Sequence, residues 1–180
     1  MIQLFTELQE KKNVRSNLSA LRASLKEATE EQKAQAIEFV RGHEDLVFGF
    51  LQEEDAKTRK NAALLLGDLA VQNALQPLWK AYTREQTLFV KSAYLEAMKA
   101  LHAEEILSQL KDRLAELEGE PVTEENRKHR EAELRALRAI LIQYEGIDTH
   151  HFDIKQKNNH VLLVTNRNHR GILENQTGGK

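Results

Sequence analysis

The residues best equipped for chemistry lie late in the chain. His129, His150, His151, His160 and His169 are five of its seven histidines. In "THHFD" an extended backbone puts His151 and Asp153 on one face, because strand side chains alternate. With His160 across a hairpin, three such groups could hold a divalent metal. No His-x3-His helical pair accompanies them, and polar hairpins often carry histidine without binding anything, so no metal is assigned. "QTGGK" at 176–180 has the lysine of a phosphate loop but lacks its first glycine, a following Ser or Thr, and a helix to receive the phosphate. The chain has no cysteine, which excludes disulfides, thiolate nucleophiles and zinc-thiolate sites.

Carboxylates are abundant in "KEATEEQ", "QEED", "HAEE" and "GEPVTEEN". Most fall at helix starts, where the positive end of the helix dipole favours them. None stands at a catalytic spacing from a base or nucleophile. The expectation is therefore no enzyme activity in these residues and no cofactor.

The elements that position these groups are helices. Of 180 residues, 41% are hydrophobic and 30% charged, the balance of a globular chain. The formal net charge of -2 draws the whole molecule to neither nucleic acid nor membrane. "MIQLFTELQEKKNVRSN" reads as a short amphipathic helix, not a signal peptide. Runs such as "AALLL" are too short to cross a bilayer. A cytoplasmic protein without membrane contact is expected. With two prolines and eight glycines, apolar residues keep helical spacing to about Tyr144. Residues 1–146 form a helical repeat domain. Residues 147–180 are a short β-hairpin tail, with a strand from His160 to Thr165 after "KNN", or the beginning of a truncated α/β domain. The abrupt "TGGK" favours a cut chain.

The helices repeat. A shift of 32 residues brings Leu46 onto Leu78 and Leu110, Phe50 onto Tyr82 and Leu114, Arg59 onto Lys91, and Leu69 onto Leu101. One two-helix unit runs from "EDLVFGFLQEE" through "DAKTRKNAALLLGDLA". The next runs from "NALQPLWKAYTRE" through "QTLFVKSAYLEAMKALHA". A third opens with "EEILSQLKDRLAELEG" and closes with "REAELRALRAILIQY", with seven residues inserted. A weaker first unit pairs "RSNLSALRASLKEA" with "TEEQKAQAIEFVRG". Trp79, the only tryptophan, shares helical spacing with Leu75, Leu78 and Tyr82 and is expected in the core or at a groove edge.

The second helices resemble the HEAT-repeat family over about residues 15–144. A basic residue, two small residues and Leu-Gly-x-Leu stand here as Arg59, Ala62, Ala63, Leu66, Gly67 and Leu69, with Pro77 in a first helix and Asp55 in the preceding turn. Lys99 and Arg138 replace the glycine in the later units. The resemblance implies an all-α, right-handed α-α superhelix with a short β-containing C-terminal tail. Gly67 then reads as a packing glycine between neighbouring helices. Asp55 is expected to cap its helix, with Arg59 reaching back to it or to the neighbouring turn. Repetition of that basic residue at Lys91 and Arg130 leaves two readings: an ion-pair ladder or a basic binding stripe.

The function expected of such an array is binding. The first expectation is a non-catalytic scaffold holding a protein partner on a concave surface, with Lys57, Lys60, Lys91, Glu96 and Lys99 as its exposed inner face. The tail offers an alternative. Its strand, polar turn and helix start are similar to the opening of the ferredoxin-like domain in some bacterial S-adenosylmethionine-dependent RNA methyltransferases. That likeness implies an accessory region holding RNA, with Arg127, Lys128, Arg135, Arg167 and Arg170 on phosphates. The basic end lacks aromatic residues placed for base stacking, so sequence-specific readout is not expected.

Overall fold

The computed structural model describes residues 1–145 and the backbone at 156–157 and 160–161. Residues 1–145 are helical throughout apart from short connections: α1 (Ile2–Gln9), α2 (Val14–Leu25), α3 (Glu30–Gly42), α4 (Glu44–Gly49), α5 (Ala56–Asp68), α6 (Leu75–Arg84), α7 (Leu88–Ala100), α8 (Leu107–Gly119) and α9 (Arg127–Glu145). The all-α class expected from the periodicity is what forms. In the tail, β1 (Gln156–Lys157) pairs antiparallel with β2 (His160–Val161), Lys157 opposite His160. The rest of the expected strand to Thr165 lies outside the described residues.

Local chemistry sets the helix starts. Thr29 and Gln32 form a reciprocal capping box on α3. The Asp55 carboxylate accepts from both the N–H and the hydroxyl of Thr58 at 2.8 Å, so it caps α5 as expected. Thr123 and Asn126 exchange side-chain and backbone hydrogen bonds in the turn before α9. Pro77 falls in the first turn of α6, where its missing N–H leaves no ladder bond unmade.

Four helices, α2, α5, α7 and α9, lie side by side in that order, and α1, α6 and α8 pack on α2, α7 and α9 respectively. The row is parallel. Asn61 donates to the Arg15 carbonyl and Arg22 pairs with Asp68 at 2.7 Å, matching α2 to α5 start to start and end to end. Arg59 near the start of α5 reaches Glu85 just before α7, while Gly67 near its end lies on Ala97. Lys91 meets Glu133 in the first halves of α7 and α9.

Being flanked on both sides explains the composition of α5. Ala62, Ala63, Leu64, Leu65, Leu66 and Gly67 are all buried, with small residues where the neighbours come close. Leu18, Leu65, Leu78, Tyr82, Tyr94, Met98 and Leu137 join one continuous core along the row. Trp79 is half-buried at its edge, its ring 5.2 Å from that of Tyr82.

One expected unit is corrected. The repeat pattern predicts α2 and α3 as the first and second helix of one unit. Instead α2 occupies the row of second helices, with α1 as its partner. The cause is the stripe Leu18, Leu21 and Leu25, whose burial against α5 places α2 beside it. Then α3 turns away and stacks Phe39 on Phe5 of α1, ring centroids 4.3 Å apart.

Candidate functional site

A row of parallel helices buries one face against the second layer and leaves the opposite face exposed. The helical period decides what that face carries. On α5 it carries Lys57, Lys60, Asn61 and Asp68; on α7, Phe89, Ser92, Glu96 and Lys99; on α9, Lys128, Glu131 and Arg135. Asp68 is held by Arg22. Lys57, Lys60, Lys99, Lys128 and Arg135 form no ion pair among the described residues, and only Glu96 and Glu131 stand near them in phase as free carboxylates. The molecule is slightly acidic overall, yet this face is basic.

Of the residues expected on an inner face, four lie on the exposed face of the row. Lys57, Glu96 and Lys99 are exposed and Lys60 is half-buried. Lys91 is the exception. It lies about half a turn round α7 from Phe89, and its side chain, 18% exposed, sits 3.3 Å from Glu133 and 5.3 Å from the centroid of the Tyr82 ring. Arg127, Lys128 and Arg135 are exposed on α9, whereas Arg167 and Arg170 lie outside the described residues. So do His150, His151, Asp153 and His169, and the His160 side chain. Among the described residues no cluster of three metal-ligating side chains occurs.

The repeated basic residues are ties between layers. Arg59 makes a two-pronged pair with Glu85, at 2.7 and 3.0 Å, and donates to the carbonyls of Glu53 and Glu54 at 2.8 Å. Arg130 donates to the carbonyls of Leu117 and Glu118 at 2.7 and 3.2 Å. Arg130 thus reaches carbonyls in the last turn of α8, which lack a partner within that helix, and Arg59 reaches those of the turn before α5. Arg59 is ion-paired as the ladder reading expects, whereas Arg130 bonds only to carbonyls, and neither belongs to the exposed stripe.

Lys91 belongs to a buried charged knot. The Tyr82 hydroxyl donates to Glu133 at 2.5 Å, and Arg113 approaches the same oxygen at 3.1 Å. Burial would raise the Glu133 carboxyl, but the Tyr82 hydrogen bond and the charges of Lys91 and Arg113 outweigh it and hold its pKa below the ordinary value. Burial, then the bond to Glu133, pushes the Tyr82 hydroxyl far up. Glu85 behaves like Glu133: burial opposes ionisation, and Arg59 with the Thr87 N–H overcomes it. The knot joins α6, α7, α8 and α9. With each group engaged by another, its chemistry is cohesion.

A shallow cleft of about 830 Å³ opens where the turn after α4 meets α6. Phe48, Leu51, Pro77 and Tyr94 line it, with Lys80, Arg84 and the Arg59–Glu85 pair at its polar side. The Tyr94 hydroxyl donates to the Leu51 carbonyl at 3.0 Å, and burial pushes its pKa up to about 12.

Sequence reasoning missed Phe89. It stands between two apolar residues in "LFV" and is not among the expected face residues, yet it is 48% exposed. The signal was available: Phe89 shares its helical phase with Ser92, Glu96 and Lys99, which are polar.

No family model matches the chain, and neither a curated protein nor a solved structure matches it. Among the described residues no helix is long and apolar enough to cross a membrane.

Proposed function

We propose that the chain is a non-catalytic, HEAT-like scaffold, wound as a right-handed superhelix, whose row of second helices holds an anionic partner, a nucleic acid strand. The observation that carries this is the set of unpaired cations Lys57, Lys60, Lys99, Lys128 and Arg135 on one face. A protein interface is depleted in lysine and has an apolar centre; this face has many lysines and one large exposed apolar side chain. Likeness of the tail to RNA methyltransferases would make these helices the substrate-holding part of a larger enzyme, the cofactor being bound elsewhere.

The test is affinity for a nucleic acid homopolymer as a function of salt. Log affinity should fall linearly with log salt, and the slope should shrink when Lys57, Lys60 and Lys128 are changed to glutamine. Absence of binding at low salt sinks the reading.

A second reading, a protein partner on the same face, draws on Phe89 and on the carboxylates Glu96 and Glu131 interspersed with the cations. It expects binding that changes little with salt and survives neutralising the lysines.

A further inference from the structure

We infer that Phe89 is a stacking platform for one base of a single-stranded nucleic acid, with Lys57 and Lys128 taking the flanking phosphates. This rests on the proposed nucleic acid partner and specifies its form.

The register is fixed by contacts. Arg59 to Glu85 and Gly67 to Ala97 align α5 with α7, and Lys91 to Glu133 aligns α7 with α9. The repeat step of 32 residues carries Lys57 to Phe89, and the same step with the seven-residue insertion carries Phe89 to Lys128. The three therefore occupy equivalent positions, one turn or less into three parallel neighbouring helices, in the order cation, aromatic, cation.

Adjacent packed helices stand about 8–10 Å apart. Flexible lysine stems on both sides of Phe89 can lean to the backbone of a strand crossing it. The row is parallel, so the N-termini of α5, α7 and α9 share this edge, that of α5 capped by the Asp55 carboxylate.

The rest of the face narrows the occupant. Ile2, Phe89 and Val122 are the large apolar side chains most exposed among the described residues, and neither Ile2 nor Val122 lies in the row. One aromatic ring among cations offers a π face and charge, with no apolar patch for a folded partner to bury. A base in a single strand has a free face to place on it. In a duplex those faces are stacked away, and Phe89 would gain nothing.

The experiment uses the full chain and three fluorescent probes at low salt: a 12-nucleotide oligouridylate, a duplex of equal length, and polyglutamate. The single strand should bind more tightly than the duplex. Phe89→Ala should weaken the single strand by roughly tenfold and leave the duplex unchanged. Phe89→Trp should keep the affinity, and its added emission should be quenched by the oligonucleotide, while the wild type, with Trp79 alone, should show no quenching.

If Phe89→Ala binds like wild type, or the duplex binds as well as the single strand, stacking is overturned. The broader reading then still stands if Lys57→Gln with Lys128→Gln weakens both nucleic acids. If polyglutamate binds as tightly as the oligonucleotide and Phe89→Ala changes neither, both readings give way to an acidic protein partner.

Discussion

A methyl group added to Gly67 would stand 2.9 Å from the Cα of Ala97. That distance is shorter than real side chains tolerate against backbone, so the backbones of α5 and α7 approach closely here. An interior glycine costs a helix about 1 kcal/mol relative to alanine, and here the close approach of two helices offsets it. Gly67→Ala should force the helices apart and destabilise the protein by roughly 1–3 kcal/mol. Gly67→Leu should cost more or prevent folding. Chemical denaturation of Gly67→Ala decides: an unchanged midpoint would mean that the contact can relax freely.

Glu133 answers to three partners, so its removal exposes the others. Breaking a buried ion pair at one end typically costs about 3–5 kcal/mol, because the remaining charge is left uncompensated. Glu133→Ala strands Lys91, while Arg113 keeps Glu116 and Glu120 at 3.2 and 3.4 Å, so the loss should fall at the low end of that range. The double change Glu133→Leu with Lys91→Met should recover part of the loss, since an apolar pair needs no counter-charge. Denaturant midpoints of the two variants test this, and equal losses would show that the charges are not coupled.

The same carboxylates give the fold an acid limit. Glu85 and Glu133 have folded pKa values below their ordinary one, against about 4.3 for an unfolded glutamate. A depressed folded pKa contributes stability that is present above the unfolded value and lost as pH falls through the folded one. The melting temperature should therefore hold near neutral pH and drop once pH passes below about 4.3. Glu133→Gln should begin lower and show a smaller drop. An acid decline of the same size in that variant would assign it to other groups.

Much of this was legible along the chain and some of it was not. Gly67, Asp55 and Arg59 could be read because each acts on a neighbour fixed by local spacing or by the repeat. The partner of Lys91 lies 42 residues away on α9, and no local pattern encodes such a distance. Placing Lys91 on the exposed face ignored its phase relative to Ser92 and Glu96. For α2, the eight residues of α1 carry too little repeat pattern to mark them as its partner, so the frame slipped by one helix. Phe89 was hidden by its apolar neighbours Leu88 and Val90.

The helix ends hold a further consequence of the repeat. Ala70 and His102, 32 residues apart, follow the ends of α5 and α7 with φ of 51° and 52°. Below Ala70 the pattern is the one usually closed by glycine: the Ala70 N–H donates to the Gly67 carbonyl and the Val71 N–H to the Leu66 carbonyl, both at 3.0 Å. A Cβ in this left-handed region costs about 1–2 kcal/mol. Glycine removes that strain but frees the unfolded chain, which returns roughly 0.4–1 kcal/mol of the gain. Ala70 is exposed, so its methyl contributes little packing. Ala70→Gly should therefore raise stability by about 0.5–1 kcal/mol, with no change in the slope of the denaturation curve. His102→Gly should act in the same direction, and the two gains should add because the sites share no partner. A fall in the midpoint for Ala70→Gly would show that the left-handed turn is not strained by its side chain.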